Sequence, residues 1–188
     1  MQDLTQEIFC YINKHVRDDN NTTVKDCSIL GIDIDSTLIL RAEAANQFRN
    51  NISYKTLDIM NVDSTLELQK YLESHSAEQF DIIFCFSVTM WIHLNHGDEG
   101  LKQFLSNICK FTELLIIEPQ PWKCYQTAVR RLRKNKEAFP DINELRMNKN
   151  VDSNIEDIIQ KRHKFQKMFE SKPNSWGRRV LIFKKVQH

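Results

Sequence analysis

Four short apolar segments recur between residues 27 and 120, and this alternation most constrains the fold of the chain. The segments are CSILGIDID, ISYKTLDIM, FDIIFCFSV and TELLIIEPQ. The stretches after them place apolar residues at helical spacing, as with Leu101, Phe104, Leu105 and Ile108. Strands that alternate with helices predict a mostly parallel sheet with helices on both faces.

The last forty residues depart from that alternation. Two further strands, KFQKMFES and RRVLIFKKV, are joined by the turn residues KPNSWG and predict an antiparallel hairpin. A nucleotide-binding type of sheet that finishes in this way is the methyltransferase variant of the doubly wound fold. We therefore predict an α/β, Rossmann-like methyltransferase fold in one domain over residues 1–188.

Composition bounds the class of protein. With 188 residues, 41% hydrophobic and 27% charged, the chain reads as one soluble globular domain. No apolar run approaches the roughly 18 to 20 residues that span a bilayer. Five cysteines without a CxxC pair favour reduced thiols inside the cell. We expect a monomer in the cytoplasm, with the nucleus as the alternative location.

The net charge of +1 hides an asymmetry. Residues 1–118 hold 9 basic and 18 acidic residues, whereas residues 119–188 hold 17 basic and 7 acidic ones. A net charge of +10 on the second part can attract a polyanion such as RNA. A solvated helix surface is the alternative explanation.

Polar residues follow each apolar segment, at the carboxyl ends of the strands where open α/β sheets collect ligands. That rule selects Asp33, Asp35, Asp58 and the stretches 87–96 and 118–122. A strand-end carboxylate can accept two hydrogen bonds from ribose hydroxyls, and Asp33 is favoured for that task. Asp35 is the better candidate to cap the following helix.

Three longer stretches carry a family resemblance: LGIDIDSTLILRAE, FDIIFCFSVTMWIHLNHGDEGL and LLIIEPQPWKCYQTAVRRLRK. They resemble the bicoid-interacting-protein-3 family of RNA methyltransferases. EPQPWKCY and RRLRK favour the branch that methylates RNA 5′-monophosphates over the branch that caps small nuclear RNA. The closing NSWGRRVLIFKK is also similar, and residues 136–160 diverge.

The resemblance implies a cofactor and a reaction. S-adenosyl-L-methionine would be the methyl donor, and the 5′-monophosphate of a small RNA, such as a microRNA precursor or a transfer RNA, would be the acceptor. Asp33 would bind the cofactor ribose, Asp58 and Ile59 its adenine, and Phe86 would contact it. Plain core packing is the alternative for Ile59 and Phe86.

The stretch MWIHLNHGDEG after the third apolar segment allows three interpretations. His93, His96 and Asp98 have the spacing H-x2-H-x-D, which is a weak metal pattern, and we predict no metal. In a structural role, Trp91 would pack against the core, and Asn95 and Asp98 would tie a loop to the start of a helix that Asp98 caps. Substrate positioning by His93 and Asn95 is what the resemblance favours.

A phosphate acceptor suits such residues, because a monoester is mostly a dianion at pH 7 and needs placement more than proton transfer. Other residues are predicted to contact RNA: Trp91 or Trp122 by stacking on a base, Glu118 and Gln120 by fixing the loop or reading a nucleotide edge, and Arg130, Arg133 and Lys134 by binding phosphates. A solubilising helix face is the alternative for the basic residues.

One feature of the family is missing from the sequence. The family begins with a strand and a glycine-rich turn that lets the backbone approach the methionine part of the cofactor, yet no glycine precedes Gly31. We expect the first strand of the fold to be absent and the domain to be N-terminally truncated. A catalytically impaired RNA-binding module is therefore the alternative function.

Overall fold

The computed structural model describes residues 4–18, 27–134 and 142–186. Contacts within the chain divide it into two compact units, Met1–Ser64 and Thr65–His188. Each unit has its own strands and its own buried side chains.

The first unit holds one parallel pair of strands. Its elements are helix α1 (Leu4–Asp18), strand β1 (Ile29–Asp33), helix α2 (Ser36–Ala45) and strand β2 (Ile52–Thr56). Strand β1 pairs with β2 in parallel, from Ile29 opposite Ile52 to Asp33 opposite Thr56. Among the described residues before Ile29 there is α1 and no strand, so the absence of a first strand stays a prediction.

Helix α2 starts where the sequence indicates. Asp35 has extended backbone angles, and its Oδ1 accepts the backbone N–H of Thr37 at 2.8 Å. This is the N-cap geometry that satisfies a free amide of the first turn. The prediction that Asp35 caps the helix is confirmed.

The second unit holds the longer elements. They are α3 (Ser64–Ser74, whose first residue ends the first unit), β3 (Phe80–Phe86), α4 (Thr89–Lys110), β4 (Thr112–Glu118), α5 (Trp122–Lys134), a 3-10 turn (Ile142–Glu144), α6 (Val151–Asp157), a π-helical turn (Ile158–Arg162), β5 (Phe165–Glu170) and β6 (Leu181–Lys185).

The strands of the second unit are ordered β3-β4-β6-β5. Strand β3 runs parallel to β4, and β6 runs antiparallel to both β4 and β5. The two strand pairs separated by a helix are thus parallel, and the C-terminal hairpin is antiparallel, as predicted.

Burial explains the apolar character of β4 and β6. Leu115, Ile117, Leu181 and Phe183 have no exposed surface, because both strands have neighbours on both sides and helices pack over the sheet. Ile116 and Ile182, which lie between these residues on the opposite face, are half-buried, so both faces of the two strands carry apolar side chains. In the described part of the chain, no helix combines the length and the apolar character needed to cross a bilayer.

Helix α4 begins earlier than the sequence suggested. The stretch after β3 was expected to be a loop leading to a helix capped by Asp98, but the helix starts at Thr89. Met90, His93 and Leu94 are buried at spacings of three and four residues, which is the helical pattern. Polar Asn95, His96 and the glycine that follows concealed that pattern in the sequence.

Gly31 lies on β1 directly opposite Tyr54 of β2, and an added Cβ would sit 2.7 Å from the ring atom Cδ1 of Tyr54. We expect Gly31→Ala to lower the free energy of unfolding by about 1–3 kcal/mol, because the ring must be displaced. Urea denaturation measures this change. In a Tyr54→Ala background the same substitution should cost much less, and an equal cost in both backgrounds would contradict the steric explanation.

Candidate functional site

The carboxyl ends of β1 and β2 present two carboxylates. Asp33 Oδ1 accepts the backbone N–H of Asp35 at 2.8 Å, and Asp58 Oδ1 accepts that of Met60 at 2.9 Å. The backbone N–H of Leu57 donates to the carbonyl of Asp33 at 2.9 Å and ties the two strand ends together. Each carboxylate keeps its second oxygen without a partner among the described residues.

The turn after β2 exposes a backbone donor. The carbonyl of Ile59 accepts the Ser64 hydroxyl at 3.0 Å, while the Ile59 N–H makes no hydrogen bond within the described residues. Ile59 and Asp58 are half-buried. A carboxylate oxygen and a backbone N–H on adjacent residues form a donor and acceptor pair of the kind that reads a nucleobase edge.

The carboxyl ends of β3 and β4 form a second polar cluster. Phe86 and Glu118, the last residues of these strands, lie opposite one another. The hydroxyl of Ser87 donates to Glu118 Oε2 at 2.8 Å and accepts from Arg178 Nη1 at 2.7 Å. Ser87 has a positive φ of 57°, which turns the chain sharply between β3 and α4.

The loop after β4 caps the start of α4. Gln120 is 1% exposed, and its Oε1 accepts the Thr89 hydroxyl at 3.0 Å and the Met90 N–H at 3.1 Å. A free amide of the first helical turn is thereby satisfied by a residue some thirty positions away. Gln120 fixes the loop.

A buried chain of hydrogen bonds runs through α4. His93 has no exposed surface, and its Nδ1 lies 3.1 Å from the hydroxyl of Tyr125 while its Nε2 lies 2.7 Å from Asp98 Oδ1. Asp98 also accepts the backbone N–H groups of Arg146 at 2.9 Å and Met147 at 3.2 Å. We call these three side chains, Tyr125, His93 and Asp98, the buried triad.

The chemistry of the triad assigns its protons. An ionised carboxylate only accepts, so His93 donates from Nε2 and its Nδ1 accepts the Tyr125 hydroxyl proton. Burial lowers the pKa of His93, although the bond to Asp98 opposes this effect. Burial also opposes ionisation of Asp98, but the His93 ring and two backbone amides outweigh it and lower the pKa of Asp98. The triad is thus a neutral imidazole beside a carboxylate.

Gly97 makes the triad possible. It sits inside α4 with φ 67° and ψ −172°, a conformation open almost only to glycine. The helix is kinked there, and Asp98 lies beside His93 instead of bonding the amides of its own helix. The prediction that Asp98 caps a helix is therefore wrong, since all of its described hydrogen bonds go to the ring of His93 and to residues 146–147.

Aromatic and basic residues lie on α4 and α5. Trp91 is 42% exposed, and Trp122 is half-buried and stacks on Tyr125 with ring centroids 5.0 Å apart. Arg130 and Arg133 line one pocket of about 320 Å³, together with Gln126, Val129, Ile142 and Asn143. Lys134 is exposed at the last residue of α5.

The described residues give little support to metal or thiol chemistry. No three of their His, Cys, Asp or Glu side chains lie close enough together to hold a metal ion. Burial raises the pKa of the Cys85 and Cys109 thiols to about 12, so both stay protonated at neutral pH.

The family model described as Bicoid-interacting protein 3 (Bin3) matches residues 80–185, which include the triad, the carboxyl ends of β3 and β4 and the C-terminal hairpin. The chain belongs to the Bin3 family. A pre-miRNA 5′-monophosphate methyltransferase of Xenopus laevis is 42% identical over 83% of this chain and 62% of its own length. An RNA 5′-monophosphate methyltransferase of Rattus norvegicus is 38% identical over 93% of this chain.

The Bin3 chain spans 62% of the length of these two curated relatives. Solved structures agree on its fold. The N-methyltransferase NodS of Bradyrhizobium japonicum has a TM-score of 0.54 at 14% identity and covers 85% of this chain and 67% of its own. Magnesium protoporphyrin IX methyltransferase of Synechocystis has a TM-score of 0.56 at 15% identity, and the match covers 97% of this chain and 83% of that one. The chain therefore has the Rossmann-like methyltransferase fold.

Two residues predicted to touch substrate in this Bin3 chain are buried in the structure. His93 has no exposed surface, and both of its ring nitrogens are bonded to Tyr125 and Asp98. Its predicted role in positioning the substrate stays a prediction. Gln120 is buried under the start of α4, where its Oε1 fixes the loop, and its reading of a nucleotide edge stays a prediction.

The other predicted residues keep surface or free polar atoms. Asn95 is exposed and donates to the Trp91 carbonyl at 2.8 Å, which leaves its Oδ1 open. Glu118 lies at its strand end, within the cluster of Ser87 and Arg178. Phe86 is half-buried, with its ring 5.8 Å from that of Phe84. Their ligand contacts stay predictions.

Sequence reasoning missed Tyr125 and Arg178 as site residues, and it selected Ser87 only as the first residue of the stretch 87–96. Tyr125 bonds His93 from 32 positions away, and Arg178 lies 91 positions from Ser87. The family-like stretch NSWGRRV is the one sequence signal for the segment around Arg178. It gives no information on which residue Arg178 contacts.

The buried imidazole predicts acid sensitivity. The pKa of His93 in the folded state lies below its ordinary value of 6.5, so the unfolded chain binds more protons between these two values. Its contribution to stability is complete above pH 6.5 and is lost as the pH falls through the folded pKa. Urea denaturation between pH 7.5 and 5 should show falling stability.

His93→Gln should reduce that dependence, whereas His96→Gln, at an exposed position on the same helix, should preserve it. A residual slope is expected from His163, whose pKa is lowered by burial and by neighbouring cations. An unchanged slope in His93→Gln would contradict the assignment of a neutral buried ring.

Removing the carboxylate tests the triad directly. We expect Asp98→Ala to lower the free energy of unfolding by about 1–3 kcal/mol, because the His93 ring and two backbone amides lose their acceptor. Glu99→Ala, which removes a carboxylate that is 86% exposed, should change it by less than about 0.5 kcal/mol. Equal effects in urea denaturation would show that the triad does not stabilise the fold.

Proposed function

We propose that this chain binds S-adenosyl-L-methionine and promotes transfer of its methyl group to the 5′-monophosphate of a small RNA. The observation that carries the proposal is the pair of strand-end carboxylates, Asp33 and Asp58, each with one unpartnered oxygen, in a chain of the Bin3 family. The names of the 38–42% identical relatives support the substrate.

The residues present fit a nucleoside. A ribose offers hydroxyl donors, and the free oxygen of Asp33 is an acceptor for them. Adenine offers an exocyclic amine and ring nitrogen acceptors, which match the free oxygen of Asp58 and the unbonded N–H of Ile59. NodS and the magnesium protoporphyrin methyltransferase, which share the fold, were crystallised with S-adenosylhomocysteine.

When bound, S-adenosyl-L-methionine supplies a methyl group on a positively charged sulfur. The acceptor needs no base from the protein, because a phosphate monoester is largely a dianion at neutral pH. The residues of this chain therefore bind and orient. Asn95 and Trp91 offer an open oxygen and an exposed indole on α4, and Trp122 offers a half-buried one on α5.

Charge supports an RNA partner. Residues 119–188 carry a net charge of +10, and Arg130 and Arg133 line one pocket on α5. Guanidinium groups bind phosphate oxygens without regard to base sequence, so this surface serves affinity more than selectivity. The choice between a microRNA precursor and a transfer RNA, the monomeric state and the cytoplasmic or nuclear location stay predictions.

A non-catalytic RNA-binding module is the second candidate. The two candidates differ in cofactor binding, because the module would bind RNA and not S-adenosylhomocysteine.

Isothermal titration with S-adenosylhomocysteine tests the proposal. We expect micromolar binding by the chain, and a loss of about tenfold or more in Asp33→Ala, because hydrogen bonds to a charged acceptor are lost. Asp63→Ala, an exposed carboxylate beyond β2, is the matched control and should bind as the parent does.

Methyl transfer from labelled S-adenosyl-L-methionine to RNA with a 5′-monophosphate completes the test, with 5′-hydroxyl RNA as the control substrate. No heat with S-adenosylhomocysteine, together with retained RNA binding, would overturn the enzyme in favour of the module. Unchanged affinity in Asp33→Ala would remove Asp33 from the cofactor site.

A further inference from the structure

Arg178 is brought to the carboxyl ends of β3 and β4 by the turn that precedes β6. Asn174 Oδ1 accepts the backbone N–H groups of Trp176 and Arg178, both at 3.0 Å, and closes that turn. Arg178 Nη1 then donates to the Ser87 hydroxyl at 2.7 Å and lies 3.6 Å from Glu118 Oε2. A residue distant in sequence thus stands at the edge where parallel sheets bind ligands.

The guanidinium of Arg178 is only partly used. Its hydrogen bond and its ion pair both involve Nη1. The Nε atom is buried without a hydrogen-bond partner, and it is the one such side-chain atom in the part of the chain that the structure describes. Buried donors are nearly always paired, so an unpaired one calls for a ligand or another explanation.

The unused atoms have a recognisable geometry. The Nε–H points along the same edge of the guanidinium as one N–H of Nη2, so the two form a parallel fork. Such a fork binds two oxygens of one carboxylate or phosphate at once. The side chain of Arg178 keeps 25% of its surface exposed although its Nε is buried, so the guanidinium lies at the boundary between the protein interior and solvent.

Glu118 does not fill this fork. Its Oε2 accepts the Ser87 hydroxyl, and its Oε1 lies 3.4 Å from the Asn174 amide. At 3.6 Å from Nη1 the carboxylate balances part of the cation's charge without forming a hydrogen bond to it. Glu118 and Ser87 therefore contact Arg178 at Nη1 and leave Nε and Nη2 without a partner among the described residues.

An exposed indole stands beside the cation. Trp176 is 64% exposed, and the central carbon of the Arg178 guanidinium lies 5.9 Å from the centroid of its ring. A fork for phosphate next to a flat aromatic surface matches the two parts of a terminal nucleotide, because bases stack on such side chains.

We propose that Arg178 binds the 5′-phosphate of the substrate RNA through Nε and Nη2, and that Trp176 stacks on its terminal base. This inference rests on the proposed function and names the residues that distinguish a phosphorylated RNA end from a hydroxyl end. Arg179 does not share this role, because it pairs with Asp152 and Glu170.

The test measures fluorescence anisotropy of one 3′-labelled RNA carrying either a 5′-monophosphate or a 5′-hydroxyl, bound to the full chain. The parent chain should prefer the phosphorylated RNA by about tenfold or more. Arg178→Gln should reduce that preference to less than about twofold, with affinity for 5′-hydroxyl RNA and for S-adenosylhomocysteine retained. The matched control, Arg179→Gln, should keep the preference.

Two further variants cover the event that Arg178→Gln fails to fold. Arg178→Lys keeps the charge but not the fork and should retain only part of the preference. Trp176→Ala, at an exposed position, should weaken binding of both RNAs by about fivefold or more. A purely structural role would lower the melting temperature without changing the ratio of the two affinities.

The outcomes separate this inference from the proposed function. If the parent methylates phosphorylated RNA and Arg178→Gln discriminates the two ends as well as the parent does, the inference falls and the function stands. If the parent prefers the phosphorylated RNA through Arg178 but binds no S-adenosylhomocysteine, the proposed methyltransferase activity is contradicted and the Arg178 phosphate site is supported. A parent without any preference for the phosphate overturns the Arg178 site.

Discussion

The hydrogen bonds to the Asp98 carboxylate are the interactions that connect the helices of the second unit around the candidate site. It accepts the ring N–H of His93 and the amides of Arg146 and Met147, and His93 in turn accepts the hydroxyl of Tyr125. Helix α4, helix α5 and the segment before α6 are thereby joined through one buried group. Gly97 permits this arrangement, because only a glycine readily adopts its backbone angles.

Rigidity of this kind has a consequence for the strand ends. Helix α4 is fixed by the triad through His93, and Gln120 caps its first turn. Ser87 lies two residues before this helix. Ser87 therefore has a defined position from which to hold Arg178 and Glu118. The polar residues after β3 thus fall into two groups: the buried ones hold the start of α4, and exposed ones such as Asn95 keep an open polar atom.

Sequence reasoning performed well where periodicity and burial agree. The apolar runs around Leu115 and Phe183 could only be covered strands, and the turn between the last two strands implied a hairpin. It failed at the stretch that includes His93, where polar residues suggested a loop. Its error has a physical source: the histidine is buried by partners 5 and 32 positions away, and the Gln120 cap acts over 30, so no local pattern records them.

The sequence by itself determined the order of helices and strands, the carboxylates at the strand ends and the family, because these follow from side-chain polarity at short spacing and from long similar stretches. Only the tertiary structure decided which polar groups are spent on the fold and which stay open. Burial and hydrogen bonding depend on residues far apart in the chain, as with Arg178 and Ser87, which lie 91 positions apart. For that reason the sequence did not reveal that His93 is buried with both ring nitrogens bonded, or that the buried Nε of Arg178 has no hydrogen-bond partner among the described residues.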